Sequence, residues 1–179
     1  MPLEKNRTNM DSLRQDNPDD TKNKSVNKAV HENQDFVHPQ LESRIASILG
    51  LADQPTDTGS LRLQVREGLP PTTVGEVERY LEIARKQLVK LTGISERTVS
   101  RKCQRQQLLD PVVSDRLFRI ARIAAGAEEV FESQLKARLW LKRPNRALGG
   151  AIPLDLLDTD AGTLQVSDLL GRIEYGVFS

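Results

Sequence analysis

One long apolar stripe constrains the fold of this chain more than any other feature. The stripe follows Asp110-Pro111 and repeats about every 3.5 residues, which is a helical period. Asp before Pro is typical of a helix start, with Asp as the N-cap and Pro at the first helical position. The stripe therefore predicts the buried face of a long core helix or, alternatively, a helix that also supports a dimer seam. Its members are Val113, Leu117, Ile120, Ala124, Ala127 and Phe131.

Shorter helical patterns fill most of the remaining chain, and strand patterns are almost absent. Residues 73–81 carry one apolar stripe, and a last amphipathic helix begins at Asp160. Leu61, Leu63 and Val65 alternate with polar residues as a strand would, but the run is short. The sequence therefore predicts an all-α fold.

The N-terminal part of the chain is too polar to form a core. Hydrophobic residues make up 37% of the sequence and charged residues 28%, a low apolar fraction for one packed domain. Residues 1–40 have no apolar periodicity and are predicted to be a disordered extension. Residues 41–59 are predicted to form a short helix, over 41–51, followed by a linker.

Residues suited to metal and redox chemistry are scarce. Both histidines, His31 and His38, fall in the predicted extension, and Cys103 is the single cysteine. One cysteine excludes an intramolecular disulfide and a Cys-x-x-Cys metal site. Its helical position predicts Cys103 to be a small buried side chain. We therefore expect no metal site and no cofactor.

Charge is distributed unevenly along the chain. The net charge is +1, whereas residues 60–122 sum to +6 and residues 123–179 sum to −2. This asymmetry indicates two different tasks on one chain. No apolar run approaches the roughly 20 residues that span a bilayer, and the N-terminus lacks the apolar core of a signal peptide. We expect a cytoplasmic protein without a membrane partner.

Residues 85–106 have the pattern of a helix-turn-helix. The first helix is predicted to end at Gly93, where the chain must turn with a positive φ. Ile94 is expected to fill the core under the turn, and Ser95 is expected to cap the second helix. On that helix Val99 and Cys103 are four residues apart and are predicted to face inward.

The opposite face of the second helix is predicted to be basic. Residues 85–105 hold seven Lys or Arg against one Glu. Arg can bridge the O6 and N7 atoms of guanine, and a helix N-terminus can bind a phosphate. The pattern favours sequence-specific DNA binding over the alternative, an ordinary solvated helix face. The predicted DNA-binding residues are Ser95 and Arg97 together with the stripe of Thr98, Arg101, Lys102 and Arg105.

The C-terminal part of the chain carries several long motifs. They are Trp140-Leu141, the runs from Pro144 to Gly150 and from Pro153 to Leu157, the turn from Thr159 to Gly162, and the run from Leu169 to Val177. These motifs resemble the toxin-binding domain of Xre/MbcA/ParS-type antitoxins, which neutralise RES-domain toxins. Upstream, Gly68 to Pro70, Gly93 to Thr98 and Ser114 to Leu117 fit the Xre-type helix-turn-helix of the same family.

This resemblance implies an antitoxin of a type II toxin–antitoxin system. It implies a helix-turn-helix domain over residues 60–132 and a small helical toxin-binding domain over residues 133–179. The implied partners are operator DNA and a RES-domain toxin that resembles ADP-ribosyltransferases and depletes NAD. The antitoxin would act as a homodimer within a toxin–antitoxin hetero-oligomer, cover the toxin's active-site cleft, repress the shared operon and perform no catalysis.

Two stretches of the C-terminal motifs hold the predicted toxin contacts. The alternative for residues 145–150 is a structural turn that is capped by Asn and ended by Gly. The alternative for the last helix is plain surface beside a core stripe. On the same helix, Gly171 is expected to allow close approach of a partner, and Gly176 is expected to cap the helix. The predicted toxin-binding residues are Asn145, Arg146, Gly149, Gly150, Arg172, Glu174, Tyr175, Val177 and Phe178.

A second class of function stays open at this point. The chain could be a stand-alone helix-turn-helix regulator whose C-terminal domain serves another partner. An adjacent gene for a RES-type toxin would favour the antitoxin, and a solitary gene would favour the regulator. An enzyme is disfavoured, because the sequence lacks a constellation of nucleophile, base and metal ligands.

Overall fold

The structure, a computed structural model, describes residues 39–51 and 58–176. These residues form helices and the turns between them, and none of them lies in a β-strand, which confirms the all-α prediction. The α-helices are α1 (Pro39–Leu49), α2 (Thr58–Glu67), α3 (Thr73–Leu81), α4 (Arg85–Thr92), α5 (Glu96–Gln104), α6 (Pro111–Phe131), α7 (Gln134–Leu141) and α8 (Asp160–Glu174). Two short 3₁₀ helices precede α8, namely η1 (Arg146–Leu148) and η2 (Pro153–Asp158).

Some of the sequence-based predictions concern residues that the structure does not describe. The predicted disordered extension, with His31 and His38, lies outside the described residues except for its last two positions, which begin α1. The predicted toxin contacts Val177 and Phe178 also lie outside. Within the described ranges, no helix combines the length and apolar character that a membrane span requires.

Helix α6 is the centre of the fold, and α1, α2, α7 and α8 all pack against it. Leu117 and Ile120 in the middle of the predicted stripe are fully buried. Positions beside the stripe are buried too, namely Ser114, Ala121, Ile123 and Ala125. Because helices of the same chain cover the stripe, the core-helix interpretation is confirmed. A dimer interface on α6 would therefore have to use a face of this helix other than the predicted stripe.

The start of α6 differs in detail from its prediction. Asp110 occupies the N-cap position and Pro111 follows it, but the Asp110 side chain makes no capping hydrogen bond. Its Oδ1 lies 3.4 Å from Lys102 Nζ instead. The Ser114 hydroxyl donates to the Asp110 carbonyl oxygen at 3.1 Å and accepts from the Leu69 amide at 2.8 Å. The residues around Leu69 are thereby fixed to the first turn of α6.

Helix α1 is an integral part of the core, although it precedes the residues that carry the family resemblance. The helix was predicted over 41–51 and is observed over Pro39–Leu49, ending before Gly50 with a φ of +64°. Ile45, Ile48 and Leu49 are buried. This burial makes the helix a stabilising element, because each such side chain contributes about 1.5–3 kcal/mol when removed from water.

Helix α2 was not predicted. The sequence placed residues up to 59 in a linker and left Leu61, Leu63 and Val65 as a short alternating run, whereas the structure begins a helix at Thr58. Leu61 and Val65 are four residues apart and both buried, while Leu63 is 57% exposed. This is the burial pattern of a helix. A run of three apolar residues is too short for its period to be read from sequence.

One polar cluster joins α1, α3 and α6. The Tyr80 hydroxyl donates to Glu128 Oε2, and Arg44 Nη1 lies 2.7 Å from Glu128 Oε1. Burial raises the pKa of Tyr80 above its ordinary value, and the hydrogen bond to Glu128 raises this pKa further. Both causes favour the neutral phenol in the folded protein.

We expect this cluster to make the fold sensitive to high pH. Unfolded Tyr80 ionises near pH 10, but the folded protein keeps the phenol neutral, so the free energy of unfolding falls as the pH rises above about 10. The loss cannot exceed about 1.4 kcal/mol per pH unit, because Tyr80 releases only one proton, and solvent screening of this half-buried site reduces it further. Urea unfolding at pH 8 and pH 11 measures it, and Tyr80→Phe should lose less stability between these values than the wild type. Equal losses in both proteins would contradict this assignment.

Gly162 is required by close packing between α8 and η2. A Cβ added there would overlap the Leu156 carbonyl oxygen and lie 3.0 Å from Leu156 Cβ. We expect Gly162→Ala to lower the free energy of unfolding by about 1–3 kcal/mol. Gly171 on the same helix is the control, since its Cβ would meet nothing within 4 Å. Gly171→Ala should raise stability by up to about 1 kcal/mol. Denaturant titration compares the two, and shifts in the same direction would refute the packing argument.

Candidate functional site

The turn between α4 and α5 has the geometry that was predicted. Gly93 ends α4 with a φ of +72°, and Ile94 is buried under the turn. Ser95 caps α5, because its hydroxyl oxygen accepts a hydrogen bond from the Thr98 amide at 3.2 Å. The helix-turn-helix is therefore formed as the sequence indicates, and the N-terminus of α5 is capped by Ser95.

The turn is also held from α6. Arg116 Nη1 donates to the Thr92 carbonyl oxygen at 2.8 Å. The Thr92 hydroxyl in turn donates to the Leu88 carbonyl oxygen at 2.7 Å. Carbonyl groups in the last turn of a helix have no partner within that helix, so Arg116 satisfies one of them and fixes α4 relative to α6.

The prediction for the inner face of α5 was wrong at one position. Val99 is buried, but Cys103 is exposed. The least exposed side chain in the last turn is that of Lys102, at 13%. A helix this short has one strong apolar anchor, and either the third or the fourth residue after Val99 can complete its inner face. Here the third residue does so, which rotates the outer face by about one position.

The exposed stripe of α5 therefore differs from the predicted one. Arg101 lies at its centre, and the stripe consists of Arg97, Ser100, Arg101 and Gln104, spaced as one helical face. Thr98 is partly buried and its hydroxyl lies 2.9 Å from the Ser95 hydroxyl. Arg105 is exposed at the C-cap. Sequence reasoning missed Ser100 and Gln104, although the same spacing counted from Arg97 would have found them.

Five cations of this region remain available to a ligand. Arg85 pairs with Glu78, and Lys102 pairs with Asp110. Within the described part of the chain, no ion pair involves the remaining cations of α4 and α5, which are Lys86, Lys90, Arg97, Arg101 and Arg105. Such cations can neutralise phosphates of a DNA backbone and release the counterions condensed on it.

The C-terminal segment forms a second candidate surface, an open groove of about 970 Å³. One wall is η1, and the other is the outer face of α8. Gly171, Arg172 and Tyr175 line the groove, which brings two of the predicted toxin contacts to one place. The remaining lining residues, which sequence reasoning did not single out, are Ala147, Leu148, Gln165, Ser167 and Asp168.

The turn around η1 has a clear structural explanation. The Asn145 side-chain oxygen accepts from the Ala147 amide at 2.9 Å, and the Gly150 amide donates to the Asn145 carbonyl at 2.9 Å. Gly149 and Gly150 have φ values of +66° and +87°. The cap and the glycines thus shape the wall of the groove, as the structural alternative expected. Arg146 projects from this turn and is exposed.

Helix α8 separates core residues from exposed ones. Val166, Leu169 and Leu170 are buried, whereas Arg172, Glu174 and Tyr175 are exposed. Tyr175 is 80% exposed, so most of its ring surface is accessible to a partner. Gly176 follows with a φ of +65°, the conformation expected of a glycine that ends a helix.

Ion pairs connect the C-terminal segment to the remaining helices. Arg119 on α6 pairs with Asp160 at the start of α8. Arg138 Nη1 on α7 lies 2.6 Å from Glu82 Oε1, and its guanidinium carbon lies 5.3 Å from the centre of the Tyr80 ring. The helices that form the groove are thus joined to the same helical body that contains the helix-turn-helix.

A helix-turn-helix with an exposed basic face defines a DNA-binding protein, here one with a second surface at its C-terminal helix. Comparisons with known proteins agree with both parts. Residues 60–122 match the family described as Antitoxin Xre-like helix-turn-helix domain. Residues 126–176 match the family described as Antitoxin Xre/MbcA/ParS C-terminal toxin-binding domain.

Relatives that match this chain over most of their length indicate the same family. A protein named Antitoxin Xre from Photorhabdus laumondii is 35% identical over 127 residues, covering 70% of this chain and 86% of the relative. Antitoxin Xre from Yersinia enterocolitica is 28% identical, covering 79% and 97%. A Sphingobium protein named Prs ADP-ribosylating antitoxin is 27% identical, covering 64% and 78%. The chain belongs to the Xre/MbcA/ParS-type antitoxins, and it is an antitoxin with a helix-turn-helix domain.

Proposed function

We propose that this antitoxin neutralises a RES-domain toxin by covering its active site with the groove surface of η1 and α8. The observation that carries the proposal is the groove itself, because it lies wholly within the matched toxin-binding domain and is lined by exposed Arg172 and Tyr175. Arg and Tyr are frequent anchors of protein interfaces, since they combine contact area with directed hydrogen bonds.

The chemistry of the toxin is a further part of this proposal. The family resemblance points to a toxin similar to ADP-ribosyltransferases that depletes NAD, and the name of the Sphingobium relative refers to ADP-ribosylation. The antitoxin itself is proposed to act by binding alone. This proposal is supported by the relatives, which carry antitoxin names.

The same chain is proposed to repress its own operon through α5. Residues 60–132 would bind operator DNA, and residues 133–179 would bind the toxin, in the cytoplasm. Arg97 and Arg101 lie on the exposed face of a helix whose N-terminus is capped and fixed to the body. That is the arrangement in which a recognition helix enters the major groove.

Co-expression tests the toxin proposal. Cells would express the adjacent reading frame alone or together with this protein, while growth and cellular NAD are followed. Arrest and NAD loss with the neighbour alone, both reversed by this protein, are the expected results. A harmless neighbour, or toxicity that ignores this protein, would instead favour the alternative of a stand-alone regulator.

A homodimer is proposed to form beside the recognition helix. Leu108 and Val112 border the start of α6 and are 47% and 63% exposed. The recognition helices of a dimer read half-sites one helical turn apart. An apolar contact between two copies close to α5 would hold both recognition helices on the same side of the DNA. We expect Val112→Glu to shift the dimer to monomer in analytical ultracentrifugation and to weaken operator binding. An unchanged dimer would place the seam elsewhere.

A further inference from the structure

Lys102 differs from every other cation of α5. Its side chain is 13% exposed, and its ammonium donates to the Leu108 carbonyl oxygen at 2.7 Å. The same ammonium lies 3.4 Å from Asp110 Oδ1. By contrast, Arg97, Arg101 and Arg105 are exposed. The charge of Lys102 is therefore already engaged by groups of the protein.

The groups that Lys102 contacts belong to the loop between α5 and α6. Gln106 in this loop has a φ of +50°, a left-handed conformation that is unfavourable for a residue with a Cβ. The Gln107 amide donates to the Lys102 carbonyl at 3.0 Å, and the Leu109 amide donates to the Leu69 carbonyl at 2.8 Å. Lys102 thus contributes both its backbone and its side chain to holding a strained connection.

This loop sets the position of α5 relative to the core, because it links the end of α5 to the start of α6. Leu109 is buried, and Asp110 occupies the N-cap position of the central helix α6. A contact from Lys102 to Leu108 and Asp110 therefore joins the last turn of the recognition helix to the start of the core helix. Without that contact, α5 would keep its buried anchor Val99 and the backbone hydrogen bond from Gln107, but it would lose the side-chain contact at its C-terminal end.

We infer that Lys102 is a positioning residue for DNA binding: it fixes the angle of the recognition helix from inside the protein and contacts no phosphate or base. This inference rests on the proposed binding of operator DNA. It assigns Lys102 a different role from Arg101, the neighbouring cation, which points to solvent. The two roles differ in a measurable way, because only a cation that neutralises a phosphate contributes to the salt dependence of binding.

The test compares Lys102→Met with Arg101→Met in full-length protein. Operator affinity would be measured over a range of salt concentrations. Lys102→Met should weaken binding about tenfold, since fewer molecules hold α5 in the competent position, and leave the slope of log K against log salt unchanged. Arg101→Met should make the slope less negative by about 0.9. Lys102→Arg retains a donor and should recover most of the affinity.

Hydrogen exchange gives an independent readout that needs no DNA. In Lys102→Met the amides of Gln107 and Leu109 should exchange faster, while in Arg101→Met they should keep the wild-type rate. A slope change in Lys102→Met equal to that of Arg101→Met would overturn the inference in favour of a phosphate contact. Wild-type affinity with unchanged exchange would overturn it as well. A wild-type protein that binds no operator would instead defeat the proposed repressor function, which is a different result from the failure of one variant.

Discussion

Gly171→Trp is expected to abolish toxin neutralisation while leaving the fold intact. The indole would occupy the groove between η1 and α8, where a Cβ at this position meets nothing within 4 Å. Blocking the centre of an interface costs several kcal/mol, so we expect at least a 100-fold loss of affinity. Binding to a catalytically inactive toxin would be measured by calorimetry, and protection would be measured by growth after co-expression.

A matched control separates blocking from misfolding. Gly75 on α3 also has open space around its Cβ and lies outside the matched toxin-binding domain, so Gly75→Trp should neutralise the toxin normally. Undiminished protection by Gly171→Trp would exclude the groove as the toxin site. These substitutions distinguish a blocked binding site from a misfolded protein better than truncation after Asp168 does, because truncation would also remove the buried Leu169 and Leu170.

The double substitution Arg97→Ala with Arg101→Ala should remove operator binding and spare neutralisation. Each Arg that reads a base or phosphate contributes about 1–3 kcal/mol, so affinity should fall by about 100-fold or more. If both contact phosphates, the slope of log K against log salt should become less negative by about 1.8. Fluorescence anisotropy with labelled operator DNA measures both quantities.

The control for this double variant removes the same charge elsewhere. Arg62 and Arg66 on α2 are both exposed, so Arg62→Ala with Arg66→Ala leaves the recognition helix unchanged. We expect that control to retain most of the operator affinity. Equal losses in the two double variants would mean that bulk charge, and not the exposed face of α5, governs binding.

Local sequence signals predicted the helix-turn-helix and the central helix well. The positive φ of Gly93, the Ser95 cap and the burial of the α6 stripe each depend on residues a few positions apart. The inner face of α5 depends instead on how the helix rolls against the body. With Val99 as its main apolar anchor, the sequence could not decide between Lys102 and Cys103, and the structure exposes Cys103.

The groove could be predicted only in part, because its two walls come together through tertiary packing. The motifs pointed to Arg172 and Tyr175 and to the turn at 145–150. Nothing in local spacing indicates that Ala147 and Leu148 lie opposite Gln165 across an open space. Helix α2 was missed for a related reason, since the burial of Leu61 and Val65 depends on packing against α6.

The central helix has a consequence for how such antitoxins can recombine. The two family matches meet inside α6, between residues 122 and 126, where Ile123, Ala124 and Ala125 are all buried. A crossover between two antitoxin genes at this point joins halves that share one helix, so the hybrid keeps its shape only if these small buried side chains fit both sets of neighbours. Exchange of toxin specificity by shuffling is therefore restricted to partners with compatible cores, whereas changes on the exposed faces of α5 and α8 can accumulate independently.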